Sequence, residues 1–380
     1  MVGTDGDKTP GCAPSPKALR HMTQFPLVDP IPLPAPVWLF KILHDLTFAL
    51  HLASVDLLLG GVALGILFSV LGRPQAAGMI MHRLPTLMAF VINLGVPPLL
   101  FAQVLYGRAL YTSSVLIGAW WISVIFLLMA SYYGLYFAAK RADARCSWTA
   151  PGIAALLLIL TIAFIYTNNM TLMLRPQAWL GMYRASTSGL RLNTGDVSLW
   201  PRWFFFVTGA FPVAGVALAL LALKSEVDPL TVRFLRASAA IAIALGLVAE
   251  LASGFFALAA QPAGVVGNVM HDALYGSFAW IWLGTAALLL VAGFFIGTSR
   301  LAAIAAAVIA FLNVASTVMV RDGIRDYTLR AAGFEVWNRN VVTNWSVVGI
   351  FLVLFVAALV VIGYLISVVA KARKVEELYV

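Results

Sequence analysis

Charge is what this chain has least of. Asp, Glu, Lys and Arg make up 11% of its 380 residues, against roughly a quarter in an ordinary soluble domain. With 62% of residues hydrophobic and a mean hydropathy of +0.93, there is too little polar surface to cover a soluble fold of this size. Cysteine is nearly absent. Only Cys12 and Cys146 occur, neither in a CxxCH or CxxC setting, so covalent c-type heme, iron–sulfur clusters and a disulfide framework have no support in the chain itself. The basic-then-apolar start of a cleavable signal peptide is missing as well. In its place residues 1–38 carry Pro10, Pro14, Pro16, Pro26, Pro30, Pro32, Pro34 and Pro36, which predicts an extended arm lying against the rest of the chain or a partner.

Long apolar runs are what the sequence has in abundance. A membrane-crossing helix needs about 20 mostly apolar residues, and runs of that size fall at 42–72, 85–107, 113–139, 150–174, 203–224, 234–261, 276–298, 300–320 and 346–371. The pattern predicts one all-α polytopic membrane helix bundle of about nine transmembrane helices over 39–372, followed by a polar tail at 373–380. A tight turn of Gly297, Thr298, Ser299 and Arg300 separates the seventh and eighth runs. The formal charge of +9 does not point to nucleic acid. Its cations sit in short clusters between apolar runs, such as Lys140, Arg141 and Arg145, where they anchor loops and meet anionic lipid headgroups. Lys and Arg divide 13 to 12 between the two sides of such a bundle. The second side concentrates them in short loops and in the tail (Lys371, Arg373, Lys374), which favours a cytoplasmic carboxyl terminus; a bacterial inner membrane is the expected setting. Two connections, 175–202 and 321–345, are long enough for structure of their own, and the second holds Arg321, Asp322, Arg325 and Asp326.

An ionisable side chain inside a span costs several kcal/mol unless it faces the bundle interior, so each is a candidate functional position. The first span holds His44, Asp45, His51 and Asp56. A spacing of seven returns His44 and His51 to nearly one helix face. Neutral imidazoles on an interior face suit axial ligation of heme iron; hydrogen bonding across helices, or for His44 a place near water at the interface, explains them without iron. Gly60, Gly61 and Gly65 allow close approach of a neighbouring helix or of a flat macrocycle. Glu250 is the only acidic group deep in the later spans, and a proton relay, a quinone-facing carboxyl or a structural hydrogen bond would each account for it. His271 beside Asp272 lies in the 262–275 connection, while His82 and His21 carry no assigned role. Asn168, Asn169 and Thr171 end the fourth span, and Trp200, Trp203, Phe204, Phe205 and Phe206 read as an interfacial aromatic belt.

Several segments, in order, resemble subunit I of the cytochrome bd-type quinol oxidases over roughly the first five spans. The run FKILHDLTFALHLASVDLLLGGVALGI (40–66) is similar to that family's first helix, with Lys41 in the basic place and His51 in that of the heme-ligand histidine. FVINLGVPPLLFAQVLYGRALYTSSVLIGAWW (90–121) resembles the second helix, with Gln103, Gly107 and Tyr111 in matching order. LLMASYYGLYFAAKR (127–141), Asn169 through Pro176, and WPRWFFFVTGAF (200–211) resemble the segments that follow.

The departures from the family are equally specific. Its third-helix glutamates have no counterpart between Trp121 and Ala130, and its fifth-helix histidine is replaced by Phe205 or a neighbour. Its methionine ligand is lost from SFAWIWLG (277–284), its quinol loop shrinks to 262–275, and its GRQPW signature is missing. The resemblance therefore implies an electron-transfer membrane subunit of a respiratory complex, not an oxygen reductase in its own right. It would hold one b-type heme on His51, with His44, Asp56 and Gly61 in the surrounding cofactor site. It would exchange electrons with the quinone pool or a partner, most naturally a cytochrome. The alternative is a heme-free membrane scaffold whose cofactor sites are filled by aromatic side chains.

Overall fold

The computed structural model describes residues 32–144, 146–223, 228–296 and 299–376. Most of the expected 1–38 arm lies outside these, as do His21, Cys12, Thr298 and the last residues of the tail. The described helices are α1 Val37–Val70, α2 Pro74–Met81, α3 Leu84–Leu116, α4 Gly118–Asp143, α5 Thr149–Met173, α6 Pro176–Ala185, α7 Leu199–Ala222, α8 Pro229–Ala259, α9 Val265–His271, α10 Ala273–Phe295, α11 Arg300–Ala331 and α12 Trp345–Glu376. Among the described residues nine helical stretches, with α2 and α3 counted as one, are long and apolar enough to cross a membrane. The protein is an all-α polytopic membrane bundle. Its only extended pairing among these residues is a single bridge between Leu33 and Val341, which ties the end of the proline-rich segment to the connection before α12.

In lipid the hydrophobic effect cannot press helices together, so small residues and close backbone approach do the work. At Gly246 of α8 an added Cβ would lie 2.5 Å from Cδ of Pro212, and at Gly60 of α1 it would lie 2.5 Å from Cβ of Ala214. These contacts clamp α7 between α1 and α8. By contrast α12 shows most of its apolar side chains outward, including Val353, Leu354 and Val360, and meets lipid along its length.

Two boundaries differ from the hydropathy reading, and both matter for the site. Helix α1 starts at Val37, which takes in Lys41, and α11 runs on to Ala331 instead of ending at 320. Arg321, Asp322, Arg325 and Asp326 are therefore helical, not part of a loop. Hydropathy falls there, yet the backbone has no reason to stop: a helix needs no apolar residues to propagate, and Asp322, Arg325 and Asp326 find polar partners inside the bundle. The polar carboxyl-terminal tail expected from 373 is likewise helical through Glu376.

Candidate functional site

Lys41 enters the bundle at the start of the second turn of α1 and meets two carboxylates of α11. Its Nζ lies 2.6 Å from Oδ2 of Asp322 and 2.6 Å from Oδ2 of Asp326, and it donates to the Tyr106 hydroxyl at 2.8 Å. The two aspartates reach one cation because four residues is close to one helical turn. Three further donors complete them. Tyr106 of α3 donates to Oδ1 of Asp322 at 2.7 Å, Tyr275 of α10 donates to Oδ2 of Asp326 at 2.9 Å, and Nε1 of Trp337 reaches the same oxygen at 2.9 Å. Gly323 makes room for this, since a Cβ there would stand 2.6 Å from Cγ of Tyr275. Asp272, between α9 and α10, caps α10 through the backbone N–H groups of Leu274 and Tyr275 and accepts from the Tyr327 hydroxyl at 2.8 Å. Partial burial works against ionisation of its carboxyl, but those three donors outweigh it and hold the group below the usual carboxylate range.

One turn deeper, His44 uses both ring nitrogens. Nε2 lies 2.9 Å from Nη1 of Arg325 and Nδ1 lies 3.0 Å from the Pro98 carbonyl oxygen. Because a guanidinium can only donate, Nε2 is the acceptor and Nδ1 carries the proton. The ligand atoms of His44, Asp45 and Asp322 lie within 4.8 Å of one another, a grouping that could hold a metal ion. The Arg325 guanidinium already occupies the imidazole lone pair, however, and Lys41 and Tyr106 occupy Asp322. What this arrangement does is neutralise charge: Lys41 and Arg325 balance Asp322 and Asp326 in a buried, hydrogen-bonded set.

Beside this cluster, between α1, α5, α7, α8, α10 and α11, lies a cavity of about 80 Å³. Arg202, Arg321, Gln261, Thr167 and Thr171 face it from a wall that includes Phe205, Phe206 and Trp282. Arg202 is tied to Oε1 of Gln261 at 2.6 Å. Arg321 is held differently: its guanidinium stacks between Phe48 and Phe206, 4.9 and 4.8 Å from the ring centroids. Among the described residues it makes no salt bridge or hydrogen bond. Two guanidiniums set in an aromatic wall present N–H donors to any ligand with a carbonyl or anionic head.

The residues expected to form a heme site are not brought together. His44 and His51 do share a face of α1, as their spacing predicts, and both turn towards α3. His51 places Nδ1 3.2 Å from the Val91 carbonyl oxygen, and its ring lies so close to Gly95 that an added Cβ would meet Cε1 at 2.9 Å. Asp56 instead lines a separate small cavity with Glu250. Gly61 is closed off by Leu84 of α3, 3.0 Å from an added Cβ. As a set the four do not fit a macrocycle; His51 alone keeps a nitrogen, Nε2, with no protein partner among the described residues.

Other expectations resolve as follows. The aromatic belt divides: Trp200 and Phe204 are about half exposed, at 48% and 47%, whereas Phe205 and Phe206 turn inward to the cavity. Asn168 accepts from the backbone N–H of Asn193 at 3.0 Å, and Asn169 donates to Ser114 at 3.0 Å. Asn168 thus fastens the 186–198 segment and Asn169 ties α5 to α3, and neither lines either cavity. His271 is exposed and bonds within its own helix to the Gly267 carbonyl oxygen at 2.7 Å, and His82 pairs with Asp143 at 3.0 Å.

Tyr106, Tyr275, Arg202 and the α11 charges were not marked by hydropathy. The signal that could have found the last of these is RDGIRD (321–326), in which each charge repeats after four residues, a helical period. The fold and its polar interior define an integral membrane protein with a charge-lined internal site. Comparison with protein-family models and with curated proteins finds no match.

Proposed function

We propose that the chain is the membrane-embedded electron-transfer subunit of a respiratory complex and that the arginine-lined cavity takes the head of a quinone or quinol. The supporting observation is Arg321, a cation held between two phenylalanine rings with its donors unclaimed by any carboxylate. A quinone matches that wall: a flat apolar ring for Phe205, Phe206 and Trp282, and carbonyl oxygens for Arg202 and Arg321. Guanidinium donors also favour the negative charge that develops on a reduced head. The test is titration of the purified full chain with a short-chain quinone, read by quenching of tryptophan fluorescence. Saturable binding that weakens at least about tenfold in Arg321→Gln is expected, the loss of a charge-assisted hydrogen bond being worth about 1.5–3 kcal/mol. Equal affinity in the two proteins would remove the basis of the reading.

The resemblance to cytochrome bd-type subunits adds a b-type heme, and His51 is the residue that can take it. Its Nδ1 is fixed by a backbone carbonyl, the support that ligating imidazoles commonly have, and Nε2 is free to bind iron. A sharp reduced α band that disappears in His51→Ala is the expected spectrum. A featureless spectrum from intact protein would leave the heme-free scaffold, the reading favoured by the separation of His44, Asp56 and Gly61 from His51.

A further inference from the structure

Deeper than the arginine-lined cavity, about 22 Å of helix rise from Lys41 to Asp56 at ~1.5 Å per residue, lies a second cavity of about 20 Å³. A void of that size has room for one water molecule, which needs about 10–15 Å³. Its polar lining consists of Asp56 of α1, Glu250 of α8, and Asn313 and Thr317 of α11. Asp56 and Glu250 are each only 4% exposed, and Asp56 has no hydrogen bond or salt bridge among the described residues.

Apart from the Trp282 indole N–H beside Glu250, the donors around this cavity are committed elsewhere. The Asn313 amide nitrogen is committed to the Trp282 carbonyl oxygen at 3.1 Å and to Oγ1 of Thr285 at 3.0 Å. The Thr317 hydroxyl donates to the Val314 carbonyl oxygen at 2.7 Å. The other side chains around the cavity are apolar, among them Leu52, Val213 and Leu289. No charged group of α7 or α10 lines it, and the cations Arg202 and Arg321 face the neighbouring cavity. Two carboxylates facing one small, mostly apolar space cannot both remain ionised there, because their charges repel and no counter-charge lines that space.

We infer that Asp56 and Glu250 hold one exchangeable proton between them, directly or through a single water, near the middle of the membrane. A proton needs only two oxygens, whereas a hard metal cation asks for about six or more oxygen ligands. Leu52, Phe205, Phe206 and Thr317 line both cavities, so the proton is taken from and returned to water by way of the arginine-lined space. This inference does not depend on a quinone occupying that space.

The test is infrared spectroscopy of the full chain in lipid nanodiscs at neutral pH. A carbonyl stretch of a protonated carboxyl that shifts in heavy water is expected, unaffected by sodium or lithium chloride. It should be lost in the doubly substituted Asp56→Asn, Glu250→Gln protein and kept in Asp45→Asn, which controls for the other buried aspartate with an unpartnered oxygen. A double variant with the wild-type spectrum overturns the inference, as does a band abolished by sodium, which would make this a metal-cation site. Should the double variant not fold, the wild-type spectrum decides alone: no such band at neutral pH means no shared proton.

Discussion

Lys41 and Arg321 are both cations inside the bundle, and their surroundings are built in opposite ways. Lys41 has two carboxylates at 2.6 Å and a phenol at 2.8 Å. Arg321, adjacent in sequence to one of those carboxylates, has two aromatic faces and an open cavity. Burying an ion costs several kcal/mol, and only partners recover that cost. The first arrangement recovers it inside the protein and so joins α1, α3, α10 and α11 into one unit. The second recovers only part of it through the phenylalanine rings, and the remainder is available to a ligand that brings its own acceptors.

The largest effect expected from this contrast is at Lys41. Lys41→Met leaves Asp322 and Asp326 buried without their cation and should destabilise the protein by about 3–5 kcal/mol, read by thermal or denaturant unfolding in detergent. Adding Asp326→Asn to that variant should restore most of the loss, since Arg325 would then balance the one remaining carboxylate, Asp322, 3.6 Å away. A Lys41→Met protein as stable as wild type would show that the pairing does not hold the helices together. Next in size is Gly323→Ala. Its new methyl would stand 2.6 Å from Cγ of Tyr275, a clash expected to cost about 1–3 kcal/mol. Alanine's better helix propensity returns up to about 1 kcal/mol, so a net loss in the same assay is the outcome. A net gain would mean that Tyr275 does not lie over α11.

Much of the bundle could be read from the residues, and the parts that could not share a physical cause. Runs of about 20 apolar residues are required by the thickness of the bilayer, so the spans stand out. The seven-residue interval of His44 and His51 is close to two helical turns, and both do face α3. Hydropathy fails where a helix carries charge that is satisfied internally, which is why α11 appeared to stop before Arg321. It fails again for Tyr106 and Tyr275, whose hydroxyls are hidden in apolar stretches, and for Phe205 and Phe206, which composition alone cannot separate from lipid-facing neighbours. Asp56 and Glu250 were each visible as buried acids. That they share a cavity depends on how α1, α7 and α8 pack, and no local pattern encodes it.

Arg321→Leu sharpens the comparison from its other side, with the smallest expected change and a different sign. The substitution gives up two cation–π contacts, each worth about 0.5–2 kcal/mol. It also removes a buried cation that no carboxylate pairs with, and the shorter leucine leaves apolar surface at a site walled by Phe48 and Phe206. The two contributions oppose each other, so stability without ligand should change by less than about 1 kcal/mol, neutral or slightly improved. The same unfolding assay used for Lys41→Met measures it. If Arg321→Leu instead cost as much as Lys41→Met, the guanidinium would be a structural member of the bundle, and its open donors would no longer argue for a ligand in the cavity.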